Sequence, residues 1–249
     1  MSAVAVCRAW ARRVFNAWRP LVPPRRRLKP VKLESAFLEA GGSVDLASDA
    51  SWRALWNAKP RVVALDAEGT HFSPPLLVQV AYGDRVLLDV PGHVVVGREL
   101  RRLLADESIT KVFFGPPSSE NLGVKMANVV DVQKVAHLAA PDRRPGHLPS
   151  LTAAAASLSF NRDPRHVVKN TRIQKSFRFY KRRPRGFSWL SKEVRLYSAA
   201  DAWATLELYN ALKARDPSRL ETHTTRGAAQ YPSQLARKRR KAKRREDAA

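Results

Sequence analysis

Short apolar runs, separated by turn residues, set the pattern of the chain. Arg61 to Leu65, Leu76 to Tyr82 and Val86 to Val90 are β-rich runs, and Gly83-Asp84 supplies a tight turn between the second and third. The three read as an antiparallel meander. Lys111 to Phe114 and Asn128 to Val130 follow as a fourth and a fifth strand, each arriving after a connection. Hairpin strands followed by crossover strands predict a mixed sheet. Helical spacing begins near a cap at Ser48, with Trp52, Leu55 and Trp56 on one side. Further helices are predicted around Glu99 to Leu104, from Val132 to Leu138, from Ser150 to Leu158, and from Glu193 to Ala214, with Pro217 beyond the last end.

Composition adds a partner to this picture. The chain has 249 residues, 44% of them hydrophobic, enough to bury a core. It holds 45 Lys and Arg against 22 Asp and Glu, a formal charge of +23. A folded domain needs no such excess. A polyanion does, because Lys and Arg displace the counterions condensed on a phosphate backbone. An anionic membrane surface would also take the charge, but no apolar run is long enough for a membrane span. Cys7 is the single cysteine, so an intrachain disulfide is excluded.

The charge is unevenly spread. The first thirty-three residues contain no acid and interleave Arg8, Arg12, Arg13 and Arg19 with Val4, Val6, Trp10, Val14, Phe15 and Trp18. This is the pattern of a mitochondrial transit peptide, or of a basic arm that lies on RNA. Pro20, Pro23, Pro24 and Pro30 interrupt any helix and mark a linker. The tail from Arg237 to Arg245, including Arg237, Lys238, Arg239 and Arg240, is nearly all basic. The expected organisation is an arm over 1–33, a domain over 34–216 and a basic tail over 217–249.

Asp66 and Glu68 stand at the end of an apolar strand. Residues two apart on a strand point to the same face, so the two carboxylates project together. Such a pair repels itself unless it stays solvated or a cation sits between, and carboxylate oxygens suit hard cations such as Mg2+ or Mn2+. Tyr197 and Asp201 lie four apart in a helical pattern and share a face that Leu208 and Leu212 roughly continue. An acid on an apolar stripe needs a partner, or its burial costs several kcal/mol. A metal shared with Asp66 and Glu68 would be one; local capping or pairing would be another.

These segments resemble the 3′–5′ exonucleases of the ribonuclease D and Werner-helicase type. Val62-Val63-Ala64-Leu65-Asp66-Ala67-Glu68-Gly69 is similar to the first motif of that family, and Tyr197-Ser198-Ala199-Ala200-Asp201-Ala202 to its third. Asn128-Val129-Val130-Asp131-Val132-Gln133 resembles the strand and helix start after the second motif. Lys169 and the segment from Leu190 to Tyr197 also fall at matching places. The resemblance spans roughly Arg61 to Leu212. It implies an α/β fold of ribonuclease H type, a mixed five-stranded sheet flanked by helices. It also implies two-metal phosphodiester hydrolysis, with Asp66, Glu68 and Asp201 as metal ligands and Tyr197 placing the water.

The second motif departs. In Lys111-Val112-Phe113-Phe114-Gly115-Pro116-Pro117-Ser118-Ser119-Glu120, Phe114 takes the position of the family's His and Ser119 that of its Asp. Glu120 replaces the missing ligand only if the loop shifts by one residue. Ser188-Trp189-Leu190 stands where the family carries Arg-Pro-Leu.

Between Asp163 and Glu193 there is no acid. Lys169, Arg172, Lys175 and Arg178 recur every third residue and Arg182 follows, among Phe177, Phe179, Tyr180, Phe187 and Trp189. A helix here would present a basic stripe to phosphates, with aromatic rings for stacking on bases or for the core. Two functions stay open: a metal-dependent nuclease, and a non-catalytic, RNA-binding component of a ribonucleoprotein such as a mitochondrial ribosome. Nucleic acid is the expected partner, RNA before DNA, in a mitochondrial setting.

Overall fold

The structure, a computed structural model, describes residues 31–70, 72, 74–91, 96–116, 122–139, 148–159, 167–177 and 186–229, without the side chains of 137–139 and 227–229. The arm over 1–30, Glu120, Arg178, Arg182 and the tail residues Arg237, Lys238, Arg239 and Arg240 lie outside that set.

The elements follow the chain as β1 (Val31–Lys32), α1 (Leu33–Glu39), β2 (Ser43–Leu46), α2 (Asp49–Ala58), β3 (Val62–Glu68), β4 (Leu77–Tyr82), β5 (Arg85–Asp89) and α3 (Arg98–Ala105). Then come β6 (Thr110–Phe113), β7 (Met126–Asp131), α4 (Val132–Ala139), α5 (Leu151–Leu158), β8 (Val167–Val168), α6 (Thr171–Ser176), α7 (Lys192–Arg215), α8 (Pro217–Thr222) and β9 (Thr224–Ala229). The predicted meander is present: β3, β4 and β5 pair antiparallel in sequence. β6 joins β3 in parallel and β7 joins β6 in parallel, as crossover strands should.

The sheet is larger than the five strands expected. It has seven, in the order β2-β5-β4-β3-β6-β7-β9. Both additions are edge strands without a clear apolar alternation. β2 reads Ser-Val-Asp-Leu and is at best half-buried; β9 reads Thr-Thr-Arg-Gly-Ala-Ala. An edge strand buries little, so its sequence carries little period-two signal. β9 pairs antiparallel with β7, which carries the fold past the boundary expected at 216. β1 and β8 form a separate two-stranded parallel ribbon.

Helices cover both faces. On one, α1, α4, α5 and α7 pack over Ala64, Leu77, Ala81, Val86 and Leu88. On the other, α2 and α3 pack over Val63, Leu65, Val78, Val80 and Leu87. α7 crosses the middle of the sheet and is the longest helix described, at 24 residues. Ala199, Ala200, Ala202 and Ala204 are all buried along it, so its backbone lies close to the strands. Ser191 caps its start by accepting from the Val194 amide, and Lys213 and Arg215 complement its C-terminal dipole. Trp203 on its outer side packs on Phe37 of α1, ring centroids 5.8 Å apart.

Candidate metal centre

Asp66 and Glu68 end the central strand, β3. Gly69 then takes the chain out of the sheet at φ +66°, where a Cβ would come within 2.5 Å of the Leu76 side chain. Only glycine fits that departure. α7 lays Asp201 over the same face. One carboxylate oxygen from each of Asp66, Glu68 and Asp201 lies within 4.8 Å of the other two. The three acids expected together are therefore together.

Their electrostatics are those of a site built around positive charge. Asp201 is 1% exposed. Its Oδ2 accepts from Lys169 Nζ at 2.5 Å, while its Oδ1 has no well-formed hydrogen bond among the described residues. Burial pushes the Asp201 carboxyl up to about 7, against the pull of Lys169. Burial also raises Asp66, which Lys169 and the Ala67 amide partly restore. Glu68 is driven well above the ordinary range by burial and then by its two acidic neighbours. Lys169 shows the converse: burial pulls it down, but the three carboxylates outweigh that and hold the ammonium above its usual value. Three acids and one ammonium leave a net charge near −2. Hard divalent cations fit that donor set.

Tyr197 lies one turn before Asp201 and is buried. Burial and the carboxylates together push its phenol well above its ordinary value. Its hydroxyl lies beside Asp201, near enough to influence that carboxyl, but makes no well-formed hydrogen bond among the described residues. Lys169 Nζ sits 5.2 Å from the centroid of its ring, so the ammonium is held between that ring and Asp201.

The basic stripe does not form as expected. Lys169 precedes α6 and turns inward to the acids instead of facing solvent. Arg172 and Lys175 are exposed on α6, which spans only Thr171–Ser176. Among the described residues, the aromatics of this segment pack inward. Phe177 is buried and meets Trp189 edge-on at 6.2 Å and Tyr197 at 6.4 Å. Phe187 and Trp189 rest against the same core. The attraction of three acids and the apolar cover of α7 outweigh the solvent-facing alternative.

Phe114 is half-buried against the core on the face of Asp66, one residue past the last paired position of β6. It offers an apolar ring where the resembling motif has an imidazole. The next residue, Gly115, donates its amide to Asp131 Oδ1, which also accepts from the Gln133 amide. Asp131 thus fastens the end of β6 to the start of α4.

One polar residue of this face escaped the sequence reading. Gln79 is the cross-strand partner of Asp66, fully buried, with neither amide atom hydrogen-bonded among the described residues. Opposed residues on antiparallel strands share a face. The signal was available: Gln79 is the lone polar residue in Leu77-Val78-Gln79-Val80-Ala81.

Comparison with known proteins agrees with this geometry. The family described as 3′-5′ exonuclease matches residues 47–215. The chain belongs to that family. RNase D of Trypanosoma brucei superposes with a TM-score of 0.53 at 19% identity, over 68% of this chain and 64% of that one. A nuclease in its apo form superposes at 0.52 and 20% identity, over 72% and 84%. A mutant catalytic core of Trypanosoma brucei RRP6 superposes at 0.51 and 16% identity, over 73% and 50%. The chain thus spans under two thirds of the trypanosome RNase D and half of that RRP6 core. These likenesses show a shared α/β fold of ribonuclease H type. No curated protein matches at a significant level. Among the described residues no helix is long and apolar enough to cross a membrane.

Proposed function

We propose that this domain is a metal-dependent 3′–5′ exonuclease acting on nucleic acid, with RNA the favoured substrate. The observation that carries the reading is the cluster itself: one carboxylate oxygen from each of Asp66, Glu68 and Asp201 lies within 4.8 Å of the other two, and Oδ1 of the buried Asp201 has no well-formed hydrogen bond among the described residues. Such an atom costs several kcal/mol unless something positive meets it. Asp66, Glu68 and Asp201 would hold the cation, Mg2+ or Mn2+. Bound there, it would supply charge to sharpen a water and to stabilise the departing oxygen. In the reaction a water oxygen bonds to phosphorus while the bond from phosphorus to the 3′ oxygen breaks. The water's proton passes to solvent, and the departing 3′ oxygen takes a proton from solvent to leave as a hydroxyl. Tyr197, above the same centre, would place that water by its hydroxyl. Glu120 is a candidate fourth ligand.

The exposed Arg172 and Lys175 on α6, with Arg178, Arg182 and the Arg237 to Arg240 tail, would neutralise the backbone of the strand. Binding should therefore weaken with salt, by about 0.7–0.9 in log affinity per log salt for each phosphate contact. The transit-like start supports a mitochondrial setting.

A second reading keeps the fold and the binding but not the cutting: an RNA-binding component of a ribonucleoprotein. Phe114 favours it, because an apolar ring stands at a motif position that is polar in the resembling enzymes. The purified protein on a 5′-labelled single strand with Mn2+ separates the two. Stepwise shortening that Asp66→Ala and Asp201→Asn both abolish is the expected result. Tight binding with no shortening at any metal concentration would select the second reading.

A further inference from the structure

An acidic cavity stands on the outer side of α7. It measures about 350 Å³ and lies between α1, α7 and the β1–β8 ribbon. Val31, Ala36, Val167 and Trp203 give it apolar walls, and Glu39 and Glu207 give it two carboxylates. Glu39 is exposed and Glu207 half-buried. None of the ion pairs among the described residues uses either one. Trp203 and Glu207 follow Asp201 by two and six residues, which sets them on the side of the helix away from the acids of the metal centre.

Two uncompensated acids at one hollow run against a chain of charge +23. They repel phosphate. They suit the opposite chemistry, a cation on an apolar stem, which is that of an Arg or Lys side chain. The indole of Trp203 adds a surface that a guanidinium favours. The course of the chain selects the occupant. Val31 lies in the wall, held by its pairing with Val167, and Arg25-Arg26-Arg27-Leu28-Lys29-Pro30 runs directly into it. A chain spans at most about 3.6 Å per residue, so the backbone of Arg25 to Lys29 stays within roughly 20 Å of the cavity. A segment on so short a tether has an effective concentration on the order of millimolar, which fills even a weak site. No acid precedes Glu34 to compete for those cations.

We infer that this cavity is the seat of the chain's own basic segment, Arg25 to Lys29, with one of its cations held between Glu39 and Glu207. Seating withdraws that cation from nucleic acid and lays the end of the arm behind α7, so arm and metal centre are filled independently. The inference stands on the cavity and its charge and does not need the nuclease reading.

The experiment is limited trypsin digestion of the full chain, with each cut timed by mass spectrometry. Cuts after Arg25, Arg26 and Arg27 report the arm, and cuts between Arg237 and Arg245 are the internal control. Glu39→Gln with Glu207→Gln should speed the arm cuts relative to the tail cuts by about fivefold, the worth of two partly exposed ion pairs. Raising salt from about 50 to 500 mM should increase the same ratio in the unaltered chain and leave it unmoved in the double variant. Glu39→Gln alone, at an exposed position, serves if the double variant does not fold. A ratio that the substitutions leave unchanged would overturn the inference. So would protection of the arm that grows with protein concentration, which would put the arm of a second copy in the seat. Neither result bears on the nuclease reading, which the cleavage assay decides alone.

Discussion

Two lysines are withdrawn from water on opposite faces of the same sheet, yet they end on opposite sides of the ordinary lysine value. Lys111 of β6 is fully buried on the face of α2 and α3. It donates to the carbonyl oxygens of Asp106 and of Ile109, the latter at 2.7 Å. Burial pulls it down to about 8, and the nearby acids Asp106 and Glu107 recover only part. Lys169, on the face of α7, is held above its ordinary value by three carboxylates. Desolvation is common to both. The formal charge of the partners decides the sign: neutral carbonyls satisfy a donor but do not neutralise it, whereas carboxylates do both. The first lysine is a strut under the turn between α3 and β6. The second is a counter-charge.

The same substitution should therefore have unequal consequences. Lys169→Met leaves three buried acids with no cation, and breaking one side of a buried pair costs about 3–5 kcal/mol. That loss is expected in chelator at pH 8, and added Mn2+ should restore much of it. Denaturant unfolding with and without Mn2+ measures both. A variant as stable as the parent in chelator would mean that water, not Lys169, neutralises the centre.

The acids should make the metal-free protein lose stability as pH rises. Asp201 titrates at about 7 in the folded chain and near the ordinary aspartate value when unfolded. Between about pH 4 and pH 7 the folded state therefore binds more protons than the unfolded one, and the slope of stability with pH is negative. Asp66 and Glu68 shift in the same direction. Asp201→Asn should flatten this fall. Chelator-treated protein that grows steadily more stable from pH 4 to 7 would contradict the arrangement.

Lys111 sharpens the contrast from the other side. Its depressed value means that the folded state gives up a proton before the unfolded one, so stability should rise between about pH 8 and 10.5. Lys111→Met should abolish that rise. At pH 7 it should change stability by no more than about 1.5 kcal/mol, because relief from burying a charge offsets the two lost hydrogen bonds. Mn2+ should make no difference to it.

The contrast also explains what could be read from the sequence. The meander, α7 and the trio of Asp66, Glu68 and Asp201 were legible, because periodicity and motif spacing both report on a two-faced, buried element. The two edge strands were not, since Ser43–Leu46 and Thr224–Ala229 bury too little to leave a pattern. Lys169 was placed on the wrong side of its segment. Its spacing from Arg172 and Lys175 is helical, but α6 begins only at Thr171. A lysine's partner is a fact of three dimensions: nothing in Val168-Lys169-Asn170 says that Asp201 will be opposite. Lys111 was read only as part of an apolar strand, for the same reason.

The smallest effect expected is at the residue that touches Lys169 from the other side. Tyr197 presents its ring to the ammonium and its hydroxyl to the carboxylates, and that hydroxyl is buried without a well-formed hydrogen bond among the described residues. Tyr197→Phe keeps the ring, and with it the cation–π contact. It deletes a hydroxyl that lies beside Asp201 without a well-formed hydrogen bond to it. Removing a buried hydroxyl whose contact with Asp201 is poorly formed costs at most a weak hydrogen bond, so stability should change by less than about 1 kcal/mol. Cleavage should fall more than stability does, but less than in Asp201→Asn, because one hydrogen bond to water is lost and the cation stays. Tyr197→Leu, which removes the ring as well, should loosen Lys169 and cost more than Tyr197→Phe in chelator. Denaturant unfolding of the two variants side by side tests this. A loss above about 2 kcal/mol in Tyr197→Phe would show that the hydroxyl is bonded to Asp201 in solution. The charge of the centre would then be shared by two donors, and Lys169 would not be its sole counterweight.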